Sequence, residues 1–97
     1  LVRALAPIAG IDEMWARRPR AKRDTDLCSG PAKLCQALAI DRTHDGVDVA
    51  TGAGGIELRT GSAPAAVVQT TRVGITAATE VPWRWYVAGD PHVSRPR

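Results

Sequence analysis

Residues 26–38 read Asp-Leu-Cys-Ser-Gly-Pro-Ala-Lys-Leu-Cys-Gln-Ala-Leu, a run with the pattern of a helix start that can receive an anion. Ser29 or Gly30 suits the N-cap, Pro31 suits the first helical position, and Lys33 follows in the first turn. The first backbone N–H groups of a helix have no partner inside it, so a phosphate can satisfy them. A plain capped helix is the commoner structure for such a run, and the local sequence leaves both interpretations open.

Hydrophobic periodicity predicts six elements in the order strand, helix, helix, strand, strand, strand. In chain order they cover residues 1–6, 10–18, 31–39, 56–59, 67–76 and 83–88. This order is typical of an α+β fold with a mostly antiparallel sheet and two helices. Trp83, Trp85 and Tyr86 on the last strand are expected to pack in the core rather than form a platform that stacks bases.

The composition suits a small globular protein of 97 residues, 44% of them hydrophobic, with a net charge of +3. No stretch approaches the roughly 20 consecutive apolar residues of a membrane span, and no signal-peptide pattern opens the chain. We therefore expect a soluble intracellular protein. The opening run already has a strand pattern and begins without Met, so Leu1 is not expected to be the true N-terminus.

A basic cluster follows the first predicted helix. Five basic residues fall within seven positions, namely Arg17, Arg18, Arg20, Lys22 and Arg23. Such a cluster attracts polyanions and makes their binding depend on salt. A solvated surface loop is the commoner interpretation of a basic run, and composition alone does not choose between the two.

Metal and nucleotide-loop motifs are not recognisable in the sequence. Cys28 and Cys35 lie seven positions apart, which matches no Cys-x-x-Cys metal spacing, and we expect reduced, buried thiols. His44 and His92 have no companion ligands at a metal-binding spacing. The glycines of residues 51–55 lack the Gly-Lys-Ser/Thr of a phosphate-binding loop, and a flexible loop is expected there.

The run at residues 26–38 resembles the segment of the alkyladenine (3-methyladenine) DNA glycosylase family that reads Gly-Pro-x-x-Leu-Cys-x-Ala-Leu. Two further stretches agree in order: Leu-Val-Arg-Ala-Leu-Ala-Pro at residues 1–7, and Arg-Val-Gly-Ile at 72–75 followed by Pro-Trp-Arg-Trp-Tyr at 82–86. The resemblance implies that residues 1–97 are the C-terminal part of one glycosylase domain whose N-terminal part is absent from this chain. The family fold is also similar to the C-terminal domain of methionyl-tRNA formyltransferase.

The resemblance implies a monofunctional hydrolase of base excision repair. Such an enzyme flips a damaged purine out of duplex DNA, because its target bond is unreachable inside the stack, and hydrolyses the N-glycosidic bond. The family's general-base glutamate lies in the N-terminal half, so this fragment is expected to be inactive alone. The implied partner is double-stranded DNA with an alkylated or deaminated purine. No metal or other cofactor and no membrane contact are implied, and we expect a monomer in the bacterial cytoplasm at the nucleoid.

Three positions match the family's water site and base pocket. Arg3 matches the arginine that holds the general base and the water, and a guanidinium suits this role because it stays charged and donates in a planar fork. The main-chain carbonyl of Val73 matches a second acceptor for the same water. Leu1 matches a residue that lines the base pocket. Taken alone, Arg3 has the pattern of an ion-pair or surface arginine and Val73 that of a core strand residue.

The resemblance also implies DNA-backbone contacts at two stretches. They are Ser29, Gly30, Pro31 and Lys33 at the helix start, and Arg72, Gly74 and Thr76 on the predicted strand of residues 67–76. Arg72 suits a salt bridge within the fold equally well. The chain departs from the family pattern at Thr71, where many members have proline, and at Asp90, where Asn or Ser is common.

Two other interpretations stay open at the level of sequence. One is a non-catalytic nucleic-acid-binding module that keeps the scaffold and has lost the chemistry. The other is a degraded gene remnant that does not fold by itself, because its strands would be left as open edges.

Overall fold

A computed structural model describes residues 1–72 and 80–94 of the chain. Its elements are the helices α1 (Ile11–Arg17) and α2 (Pro31–Ala37), the 3-10 turns Asp24–Asp26 and Arg42–His44, and the strands β1 (Val67–Thr70) and β2 (Arg84–Val87). Within the described residues, β1 and β2 form a two-stranded antiparallel sheet. The predicted α+β class with two helices is confirmed.

The buried core lies between α1, α2 and the segment that joins them. Its members are Met14, Leu27, Cys28, Leu34 and Ala37. Both helices contribute to it at helical spacing, since Met14 comes from α1 and Leu34 and Ala37 come from α2. Leu27 is fully buried and belongs to neither helix. The connecting segment is therefore part of the core and not a loop over it.

The start of α2 is set by Gly30 and Pro31. Gly30 is the N-cap in extended backbone without a side-chain cap, and Pro31 takes the first turn, so Gly30 and not Ser29 fills the cap position. The helix ends two residues before the predicted Ala39. Ala39 has a φ of 54°, and the N–H of Ile40 returns to the carbonyl of Cys35 at 2.8 Å. This left-handed residue ends the helix.

Two predicted strands are wrong. Within residues 1–72 and 80–94, the segments 1–6 and 56–59 form no strand, and the backbone bonds they make there to residues outside themselves include Leu5 N–H to Cys28 O at 3.1 Å and Leu58 N–H to Val49 O at 2.9 Å. Alternating apolar residues form a strand only beside a partner ladder. Neither segment finds one within residues 1–72 and 80–94.

The β1–β2 hairpin turns an apolar face outward. Val67 pairs with Val87 and Gln69 with Trp85 on that face, and the side chain of Trp85 is 58% exposed. Trp83, just before β2, is equally exposed. The core-packing prediction is therefore wrong for both tryptophans. Tyr86 is half-buried on the opposite face, where the Arg84 guanidinium lies 4.6 Å from its ring centre.

Candidate nucleic-acid interface

A cleft of about 570 Å³ lies where the N-terminal segment, the start of α2 and the hairpin meet. Its walls are formed by residues 1–6, 29–31, 72, 83–87, 90 and 92–94. Six of the predicted site residues line it although they come from three distant stretches of sequence: Leu1, Arg3, Ser29, Gly30, Pro31 and Arg72. The fold therefore brings most of the described candidates to one place.

The other four predicted site residues are Lys33, Val73, Gly74 and Thr76. Lys33 lies beside the cleft lining, with its Nζ atom 3.5 Å from the Ser29 hydroxyl. Val73, Gly74 and Thr76 lie outside the described residues. The proposed carbonyl acceptor of the water site is thus not described, although the adjacent Arg72 lines the cleft.

Arg3 is an exposed residue of the cleft wall. Within residues 1–72 and 80–94 it has no ion-pair or hydrogen-bond partner, in contrast to the ion-pair interpretation that its sequence context also allows. A guanidinium that lines a cleft without an internal acceptor has its planar set of donors available to a ligand or to another polypeptide.

Ser29 and Gly30 form the wall at the start of α2. Ser29 is buried, and its hydroxyl donates to the Asp26 carbonyl at 3.5 Å while accepting from Lys33. A Cβ atom added at Gly30 would come no closer than 3.7 Å to Lys33, which is ordinary contact, and the backbone of Gly30 is extended. The packing of this chain therefore does not demand glycine there. Glycine at this position would allow a ligand to approach the backbone closely, since it has no Cβ atom.

The cleft also contains an Asp–His pair that sequence reasoning did not select. One carboxylate oxygen of Asp90 accepts hydrogen bonds from the backbone N–H of His92 and from its ring Nδ1, both at 2.8 Å. The backbone bond and then the ring bond lower the pKa of Asp90, against a weaker opposing effect of burial. The Asp-x-His spacing with a proline between was visible in the sequence. Only the structure shows that both side chains reach the cleft.

Arg84 is a second residue of the cleft wall that sequence reasoning did not select. Its Nη2 atom donates to the carbonyl of Ser94 at 2.7 Å. Its Nη1 atom is buried and has no hydrogen-bond partner within the described residues. This guanidinium ties β2 to the segment that carries His92 and so helps to fix the cleft wall.

The basic cluster mainly stabilises the helical part of the chain. Arg17 donates to the Ala37 carbonyl at 3.0 Å, and Arg18, only 9% exposed, donates to Gln36 and to the Asp26 carbonyl, both at 3.2 Å. Neither arginine lines the cleft. The sequence interpretation of this cluster as a polyanion contact does not fit Arg18, because a buried side chain with protein acceptors cannot also reach a phosphate.

Both cysteines are free thiols. Cys28 is buried, and burial raises the pKa of its thiol, with the Arg18 charge opposing the shift. Cys35 is half-buried rather than buried. In the part of the chain that the structure describes, no three His, Cys, Asp or Glu side chains group closely enough to hold a metal, and no helix has the length and hydropathy of a membrane span.

Comparison with known proteins identifies the family of this chain. Residues 1–91 match the family model described as Methylpurine-DNA glycosylase (MPG). The chain belongs to this family. A relative from Burkholderia lata, whose name reads "Putative 3-methyladenine DNA glycosylase", is 46% identical over 98 residues, covering 99% of this chain. Relatives of the same name from Francisella tularensis and Nitrosospira multiformis are 42% and 40% identical over 98% and 99% of the chain.

The similarity covers only part of each relative. The matched region is 47% of the Burkholderia lata protein, 48% of the Nitrosospira multiformis protein and 50% of the Francisella tularensis protein. The chain therefore spans about half the length of the curated relatives it matches. The resemblance of residues 1–7, 26–38 and 72–86 to a glycosylase family is confirmed by these matches.

Proposed function

We propose that this chain is part of a 3-methyladenine DNA glycosylase that acts in base excision repair. The enzyme removes alkylated or deaminated purines from duplex DNA by monofunctional hydrolysis of the N-glycosidic bond of a flipped nucleotide. Family membership supports the class of reaction. The observation that carries the assignment to these residues is the cleft, which gathers Leu1, Arg3 and the start of α2.

In this proposal a glutamate outside residues 1–97 removes a proton from water while the water oxygen bonds to the anomeric carbon. The carbon–nitrogen bond to the purine breaks, and the electron pair leaves with the base. Arg3 holds the general base and the water by donating from its guanidinium, and the Val73 carbonyl accepts from the water. General-base assistance of this kind contributes roughly 10²–10⁴-fold to a rate. Leu1 contributes shape and dryness to the pocket.

The start of α2 holds the DNA backbone in this proposal. Ser29, Gly30 and Pro31 present backbone to a phosphate, Lys33 adds a nearby charge, and Arg72 also lines the cleft. Gly74 and Thr76 are proposed to continue this contact. Phosphate contacts position the duplex without reading its sequence, so they suit an enzyme that searches for damage.

The 97 residues alone are proposed to be inactive, since in this proposal the general-base glutamate lies outside them. A fusion of the N-terminal part of the Burkholderia lata relative to Leu1 restores a chain of family length and is called the fusion protein below. It is expected to be a monomer that needs no metal, and the natural protein is expected in the bacterial cytoplasm, at the nucleoid.

The test is release of 3-methyladenine and of hypoxanthine from duplex oligonucleotides by the fusion protein, compared with the 97 residues alone. We expect release by the fusion protein only. Duplex binding without release would instead favour a non-catalytic nucleic-acid-binding module. Release by the 97 residues alone would refute the proposal that the general base lies outside this chain.

Arg3→Ala in the fusion protein tests the role of the cleft. The rate of base release should fall by roughly 10²-fold or more, because the water and its base lose their positioning group, while duplex affinity changes little. Arg59→Ala is the matched control, since Arg59 is exposed, pairs with Glu57 at 3.1 Å and does not line the cleft. An unchanged rate in Arg3→Ala would remove Arg3 from the mechanism.

A further inference from the structure

The Asp90–His92 pair is a group of the cleft that the proposed reaction does not use. The side chains are partly buried, with 29% of Asp90 and 22% of His92 exposed, and both line the cleft, as do Arg3 and Arg84. A half-buried imidazole at the edge of a ligand-sized cleft can contact what enters it. Its protonation then becomes part of binding.

The hydrogen bonds fix which ring nitrogen faces outward from the pair. Asp90 has a lowered pKa and is therefore ionised at neutral pH, so its carboxylate can only accept. The Nδ1 atom of His92, 2.8 Å away, must be the donor. Nε2 then carries the lone pair of the neutral ring, and no hydrogen bond to it is present within residues 1–72 and 80–94.

His44 makes an informative contrast in the same chain. Its Nδ1 atom accepts a hydrogen bond from the backbone N–H of Asp41 at 3.1 Å, so the proton of its neutral ring is on Nε2. His44 lies in the turn Arg42–His44 and does not line the cleft. The chain therefore carries two Asp-paired histidines, of which His92 alone is both bound through Nδ1–H and placed in the cleft.

The electrostatics of the cleft favour an anionic ligand. Among the described residues, its charged or titratable lining groups are Arg3 on the N-terminal segment, Arg72 after β1, Arg84 and Tyr86 on β2, and Asp90 with His92. Three guanidinium groups against one carboxylate attract phosphate.

We propose that His92, oriented by Asp90, binds a phosphodiester oxygen of DNA through Nε2–H and takes up a proton as the DNA binds. The inference rests on the proposed function, because that function brings DNA to this cleft. The sign follows from linkage. The protonated ring makes a charge-assisted hydrogen bond that the neutral ring cannot make, so affinity is higher below the imidazole titration and falls as pH rises through it.

The test is the binding of an undamaged duplex oligonucleotide to the fusion protein and to the 97-residue chain. Affinity should be about tenfold higher at about pH 5.5 than at about pH 8, the range in which imidazoles titrate. Calorimetry at neutral pH in buffers of different ionisation enthalpy should show proton uptake on binding. A histidine with only a structural role changes neither measurement.

Three variants isolate the pair. His92→Gln should lose the extra affinity at low pH and the proton uptake, and His92→Lys, which carries a permanent charge, should bind well at both pH values without proton uptake. Asp90→Asn keeps an acceptor for the His92 backbone and should displace the pH dependence to lower pH. His44→Gln is the matched control and should behave as the unchanged protein.

Wild-type pH dependence and proton uptake in His92→Gln would overturn the inference. The outcome is separable from that of the proposed function, because binding and base release are measured independently. His92-dependent proton uptake without base release sustains the inference while the glycosylase proposal fails. Base release together with binding that does not depend on His92 supports the glycosylase proposal and overturns the inference.

Discussion

The helical unit, residues 11–40, and the hairpin of β1 and β2 bury their apolar residues to very different extents. The five buried core residues of the described chain all lie in the helical unit, between Met14 and Ala37. In the hairpin, Val67 is 53% and Trp85 58% exposed. Both regions are rich in apolar residues. In the helical unit these residues are covered by neighbours from the same unit, whereas the hairpin does not cover its own apolar face.

The difference shows which part of this chain can supply stability from its own contacts. The helices of the helical unit are joined by a short segment that packs Leu27 and Cys28 between them, so a core forms from residues close in sequence. An isolated two-stranded hairpin with an exposed apolar face is marginally stable in water. The cleft lies between these two regions, and its geometry depends on both.

The largest expected effect breaks the helical unit. Leu27→Ala should lower the free energy of unfolding of the fusion protein by about 2–5 kcal/mol, because Leu27 is fully buried and its removal leaves a cavity. Val67→Ala in the hairpin is the comparison, and it should cost less than about 1 kcal/mol. Urea denaturation followed by circular dichroism measures both. Equal losses would mean that Val67 is covered in the folded protein.

A smaller effect tests the buried arginine of the helical unit. Arg18→Met keeps the apolar stem but removes the donor to Gln36 and one of the two side-chain donors to the Asp26 carbonyl, so we expect a loss of about 1–3 kcal/mol. Arg20→Met, at an exposed position of the same basic cluster, should stay within about 0.5 kcal/mol of the parent. Thermal and urea unfolding check both. An unchanged free energy of unfolding in Arg18→Met would show that water replaces the guanidinium as donor there.

The smallest expected effect is a change in stability at low pH that depends on Asp26. Partial burial of Asp26 opposes the shift, but N–H bonds from Lys22 and Arg23 and the Arg23 charge lower its pKa overall. A carboxylate whose pKa is lowered in the folded state stabilises the fold at pH values above its ordinary pKa, which is about 4. This contribution is lost as the pH falls below that value and through the lowered pKa. Asp26→Asn should therefore flatten the acid limb of the stability profile. Asp45→Asn, in an exposed loop, is the control, and an identical profile in Asp26→Asn would contradict the role of these bonds.

The helices were predictable because their apolar residues meet neighbours at helical spacing. Met14 on α1 and Leu34 on α2 are buried as their spacing indicates. Strand predictions failed at residues 1–6 and 56–59, since a strand depends on a partner from elsewhere in the chain. Trp83 and Trp85 were misjudged for the same reason. Their alternation identifies a face of β2 but says nothing about what covers it.

The candidate site was predictable only where a family motif marked it. Arg3 and residues 29–31 were selected from the motifs of residues 1–7 and 26–38, and the cleft brings them together. His92 was considered only as a metal ligand and Asp90 only as a departure from the family pattern, because the sequence does not show that both side chains reach one cavity. Arg18 was assigned to a basic surface cluster although it is buried.

By itself the sequence determined the helical faces, the Gly30–Pro31 helix start and membership of a glycosylase family, because each depends on residues near one another in the chain. Tertiary structure alone decided that Arg3, the start of α2, Arg72 and the Asp90–His92 pair share one cleft. It also decided that the apolar face of β2 lies exposed and that Arg18 stabilises the helices. These outcomes depend on which distant surfaces meet, and hydrophobic periodicity carries no information about partners.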